Sequence, residues 1–157
     1  MPSGDGAILS FVGEGADAAS MVEPYATMLE HLGLGQVIRR TGDVWPGAPG
    51  CSLTTTSSLI AERAGLVERM VAVYERAACF VEGDPDEAAS IGAKYIGVSA
   101  AIVRKALAVN QPKTDAILNQ EAMDQVIRLM IERGYIDAVP EGYTDLSFLA
   151  NEAVAAR

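Results

Sequence analysis

Residues 16–25 read Ala-Asp-Ala-Ala-Ser-Met-Val-Glu-Pro-Tyr, and the fold class turns on them. Ala16 to Val22 is short and apolar enough for a β-strand, and Glu23-Pro24 punctuates it. Proline suits the first position of a helix, where its missing N–H is not needed. A helix is therefore expected from Pro24 to about Leu32, with Ala26, Leu29 and Leu32 recurring at helical spacing and Gly33 and Gly35 stopping it. A strand that ends in a carboxylate and opens into a helix implies an α/β arrangement. It also places Glu23 where such folds face a ligand crevice.

Further along the chain, Gln36-Val37-Ile38-Arg39 reads as a second strand, and Gly42 to Gly50 as a turn-rich loop containing Trp45. Cys51-Ser52-Leu53-Thr54-Thr55-Thr56 reads as a third strand or extended crossover, on its β-branched content. From Ser57 the pattern becomes helical. Ser57 or Ser58 can cap a short helix through Ala64, and Leu66, Met70, Val73, Tyr74, Ala77, Phe80 and Val81 form a stripe read as a core face. Asp84-Pro85-Asp86-Glu87 is a helix start signal for a segment ending near Gly97. Further helices are expected from Ser99 to about Val109 and from near Asn119 to Gly134, with a short one around Leu146 to Val154. The expected architecture is α/β and helix-rich, a short sheet segment followed by packed helices.

The chain has 157 residues, enough for one domain with a sizeable core, and half of them are hydrophobic. Twelve Lys and Arg face 21 Asp and Glu, for a formal charge of -9. Phosphate backbones and anionic lipid surfaces repel such a chain, so no nucleic-acid partner is expected. No stretch approaches the roughly 20 apolar residues of a membrane span. Met1 to Gly6 carries neither a basic nor an apolar signal-peptide region.

The chemistry-bearing residues are few. Cys51 and Cys79 lack zinc spacing and read as small buried hydrophobes, with a disulfide open to them if the protein is exported. Cys51 is also a candidate for lining a cleft. His31 is the one histidine and reads as an ordinary helix-end residue. Trp45 either closes over a ligand or plugs its loop against the core. Glu23 either faces a ligand or is a helix-start acid stabilised by the helix dipole. No phosphate loop, nucleophile elbow or zinc-protease motif is present. No catalysis, metal or cofactor is therefore expected.

The order of these features resembles the solute-binding proteins of ABC importers for nitrate, sulfonates, taurine and thiamine precursors. The resemblance rests on Gly13-Glu14-Gly15-Ala16-Asp17-Ala18-Ala19 followed by Glu23-Pro24-Tyr25, then Gly33 to Val37 and Pro49-Gly50-Cys51-Ser52-Leu53. It continues through Leu66 to Val81, Asp84-Pro85-Asp86-Glu87-Ala88-Ala89, and Ile131-Glu132-Arg133-Gly134-Tyr135-Ile136. It implies the carboxyl-terminal half of a type II periplasmic-binding-protein fold. Residues 1–56 would be a remnant of the second lobe plus the crossover strand, and 57–157 the helical part of the first lobe. Its ligand-facing positions fall on Glu23 and Tyr25, with Ser20 and Met21 as cleft neighbours and Cys51 as a further position. The implied partners are a small-molecule solute and an ABC permease, with a homodimer or a separately encoded amino-terminal half as a further partner. A full-length form would be periplasmic, or extracellular and lipid-anchored. The alternatives are a helical dimerisation domain with a vestigial cleft and a pyrimidine-precursor synthase-like enzyme.

Overall fold

The structure is a computed structural model that describes residues 4–149. Among the described residues six α-helices follow one another: α1 (Gly4–Val12), α2 (Tyr25–His31), α3 (Ser57–Gly83), α4 (Pro85–Ile96), α5 (Ala100–Leu107) and α6 (Gln120–Glu132). Short 3-10 turns occupy Thr41–Asp43 and Thr114–Leu118. The chain divides into two units that interleave in sequence. One comprises the residues up to Arg39 with Phe80–Pro112, the other Arg40–Cys79 with Lys113 onward. No helix among the described residues is long and apolar enough to cross a membrane.

The first unit is organised by the α4–α5 hairpin. Asp84 caps α4, its Oδ1 accepting the Glu87 backbone N–H at 3.1 Å, and Pro85 takes the first helical position. The helix ends at Gly97, whose φ of 76° is left-handed and open to glycine at little cost. Ser99 then caps α5 by accepting from the Ile102 N–H at 3.4 Å. Folding back brings Ala89, Val98, Ile102 and Val103 together as a buried cluster, with Met28, Ala93 and Leu107 packed against it. Ala89 is only 1% exposed, so a methyl side chain is what lets the two helices approach there. Arg104 Nε donates to Asp86 Oδ1 at 2.8 Å and clips α5 to the first turn of α4. The helix α2 lies on α5 with Thr27 and Leu29 buried. Phe11 of α1 covers the backbone at Gly35, where an added Cβ would meet its ring at 2.9 Å.

Most of α3, through Cys79, falls in the second unit, and the helix has non-helical geometry at Arg63, close to the boundary expected between a short helix and a longer one. Its cap is Thr56, one or two residues earlier than the serines suggested by the sequence, with Oγ1 accepting from the Leu59 N–H at 3.2 Å. The stripe expected to face the core is shifted. Val67 and Ala78 are buried, whereas Met70, Val73, Tyr74, Ala77 and Phe80 are exposed. The helix α6 begins at Asn119, whose Oδ1 accepts from the Ala122 N–H at 3.2 Å, and it buries Ala122 and Ile127. The Asn119 amide also donates to the Gly47 carbonyl at 3.3 Å, tying the Trp45 loop to the start of α6.

The helix-rich part of the expected architecture is present, and the sheet is not. Among the described residues none lies in a β-strand. The segments 17–22 and 36–39 run without ladder partners, and every residue of Cys51–Thr56 is exposed. β-propensity expresses fit to a pleated, half-buried surface, and without a neighbouring strand that fit has nothing to act on. Helix α1 was not foreseen, because its glycines mask its pattern. The short helix expected from Leu146 starts in a turn at residues 147–149, and 150–154 lie outside the described residues.

Candidate functional site

The corner at residues 20–25 approaches α2 through a cis Glu23–Pro24 peptide. Ser20 is exposed, while Met21, Glu23 and Tyr25 are half-buried. Glu23 Oε2 accepts the backbone N–H of Thr27 at 3.1 Å. That N–H lies in the first turn of α2, where backbone donors have no partner within the helix. The carboxylate therefore completes the start of α2, which is the helix-start role the sequence allowed. Ser20, Met21, Glu23 and Tyr25 stand together by chain adjacency in the first unit, whereas Cys51 belongs to the second.

The other candidates are placed as follows. Cys51 and Cys79 are free and exposed, which corrects their reading as buried hydrophobes: Cys51 lies on the exposed run before α3 and Cys79 at an exposed position of α3. Trp45 is half-buried in its loop. His31 ends α2, and its Nδ1 lies 3.0 Å from Lys105 Nζ of α5. An ammonium can only donate, so the imidazole accepts at Nδ1 and a neutral ring carries its proton on Nε2. The contact fastens the end of α2 to α5.

Two open clefts lie within the second unit, and none of the sequence-derived site residues lines either. One, of about 430 Å³, has walls from Ile117, Leu118, Pro140 and Leu146, with Gln120, Tyr143 and Thr144 as polar groups. The other, of about 440 Å³, also uses Leu118 and Gln120 and adds Lys113, Asp115 and Asn119. Sequence reasoning missed them because their walls are a 3-10 turn, one end of a helix and a loop. The start of a helix near Asn119 was expected from the sequence in this region. At the rim loop, Asp145 Oδ1 accepts from both the hydroxyl and the backbone N–H of Ser147, at 2.6 and 3.0 Å. The hydroxyl first, and then the backbone N–H, hold the Asp145 carboxyl below the usual carboxylate range.

Comparison with known proteins adds the class. The model of the NMT1-like family matches residues 11–97, more than half of the chain. That family lies within the ABC transporter solute-binding superfamily, a group of binding proteins. The chain belongs to the NMT1-like family. No curated protein and no solved structure matches it. The matched span takes in Ser20, Met21, Glu23, Tyr25 and Cys51 and ends before α5, so the resemblance at Ile131–Ile136 lies outside it.

Proposed function

We propose that this chain is the substrate-binding component, in truncated or split form, of an ABC importer for a small organic or oxyanion solute. Sulfonates, taurine, nitrate and pyrimidine precursors are the solutes in view. The observation that carries the reading is the family match over residues 11–97, with Glu23-Pro24-Tyr25 inside it. On this reading the chain is the carboxyl-terminal half of a two-lobed clamp, and 1–56 and 57–157 contribute to its two lobes. The exposed, β-branched run Cys51–Thr56 then pairs with strands of the other half. Ligand is captured by lobe closure, with no bond made or broken, and handed to a permease outside the cytoplasm. On this reading Tyr25, Ser20 and Met21 face the solute once the other half is present, with Cys51 as a further ligand-facing position. Glu23 favours an amine or hydroxyl over a bare anion, because like charges disfavour each other.

Calorimetry with taurine, an alkanesulfonate, nitrate and a pyrimidine tests this, using the chain alone and with the amino-terminal half supplied. Saturable heat with one solute, and a matching rise in melting temperature, is the expected result. Silence across the panel with both halves present overturns it.

A second reading, a helical dimerisation domain, is favoured by α3. Met70 and Val73 are 44% and 55% exposed, and with Leu66 and Ala77 they follow the 4-3 spacing of a coiled-coil seam. Light scattering on the eluted protein separates the readings: a dimer lost in Met70→Lys supports this one, and a monomer removes it.

A further inference from the structure

The cleft beside the 3-10 turn Thr114–Leu118 lies outside the residues matched by the family and has chemistry of its own. Its volume, about 430 Å³, is within the range of small-molecule sites. Ile117, Leu118, Pro140 and Leu146 present an apolar wall, and among the described residues no charged side chain lines the cleft. The lining therefore offers an ionised ligand no counter-charge, and what it offers a neutral one is hydrogen bonding beside an apolar wall.

The polar groups define the other half of the specificity. Gln120 is held by Asp124, whose Oδ1 lies 2.7 Å from Gln120 Nε2. A carboxylate accepts and does not donate, so the amide nitrogen must face it, which leaves Oε1 as the hydrogen-bond acceptor. The hydroxyls of Tyr143 and Thr144 join Gln120 in the lining and can donate or accept. A fixed carbonyl acceptor and two hydroxyls beside an aliphatic wall suit a small planar molecule carrying an N–H or O–H.

We propose that this cleft binds small, uncharged, planar molecules with an amide-type N–H donor, the donor directed at Gln120 Oε1 and the ring at Leu118 and Leu146. The site shares no residue with the residue 20–25 corner and does not depend on the importer reading.

Backbone and side-chain amide NMR on the full chain tests it with benzamide as probe and benzoate as its charged counterpart of the same shape. Expected are saturable shifts at Gly142, Tyr143, Thr144 and the Gln120 side-chain amide, with benzoate at least about tenfold weaker. Gln120→Leu keeps the bulk, removes the acceptor, and should weaken benzamide about tenfold, or ~1.4 kcal/mol. Gln120 is exposed, so an unchanged pattern of amide signals elsewhere will show that the variant is folded. No saturable shift up to about 10 mM, well beyond the Kd of millimolar binders, overturns the proposal. So does equal binding of benzoate, or shifts centred away from the cleft. Taurine added separately reports on the residue 20–25 corner, so failure at one site is distinguishable from failure at the other.

Discussion

The Glu23 carboxylate accepts the Thr27 N–H, and that one bond sets what each substitution there can report. Glu23→Ala removes the acceptor and should cost about 1 kcal/mol, as losing a helix-terminal acceptor generally does. Glu23→Gln keeps an oxygen in place and should cost less than half of that. Urea denaturation of the two variants checks the ordering. A solute response that Glu23→Gln loses at unchanged stability would belong to ligand binding rather than to the helix. At Asp145 the sign of a pH effect follows from its depressed pKa. The bonds from Ser147 favour the ionised form, so their contribution is present above the ordinary value of 3.8 and is lost as pH falls through the lower folded value. Ser147→Ala should move the Asp145 titration upward, as read by carboxyl-carbon NMR. The cap at Asp84 was legible because its side chain acts within three residues, and the helix starts near Ser99 and Asn119 were placed without their caps being read. The role of Glu23 was not legible, since a helix-start acid and a ligand-facing acid have the same local sequence.

On α3 two apolar stripes run side by side, Leu66-Met70-Val73-Ala77 and Val67-Val71-Tyr74-Ala78, both at 4-3 spacing. Periodicity establishes the helix and leaves open which stripe is covered. The structure buries Val67 and Ala78 and exposes Met70 and Val73. Val67→Ala should therefore cost about 2 kcal/mol and Val73→Ala less than about 0.5 kcal/mol, measured by thermal or urea unfolding. Equal costs would mean that the seam is covered in solution. The expected strands fail for a different reason. A helix satisfies its own backbone, whereas a strand needs a partner supplied from elsewhere in the chain, and local sequence does not say whether one exists.

For the molecule as a whole, burial is uneven, and hydrogen exchange should follow it. The amides of α4 and α5, around Ala89, Ile102 and Val103, should exchange slowest, while residues 17–22 and 51–56 should exchange close to the unstructured rate. Strong protection over 51–56 would instead reveal a strand partner. The acidic charge and the helical second half were readable from composition and caps. The interleaving of the two units was not, because it depends on contacts between residues far apart in sequence.

The two free, solvent-facing sulfhydryls at Cys51 and Cys79 give the native molecule ready attachment points. A thiol-reactive dye should label both without unfolding, and single replacement of either with serine would leave one handle. One handle sits on the exposed run before α3, and the other lies on α3 itself. A fluorophore at Cys51 would thus report directly when another protein settles over that stretch.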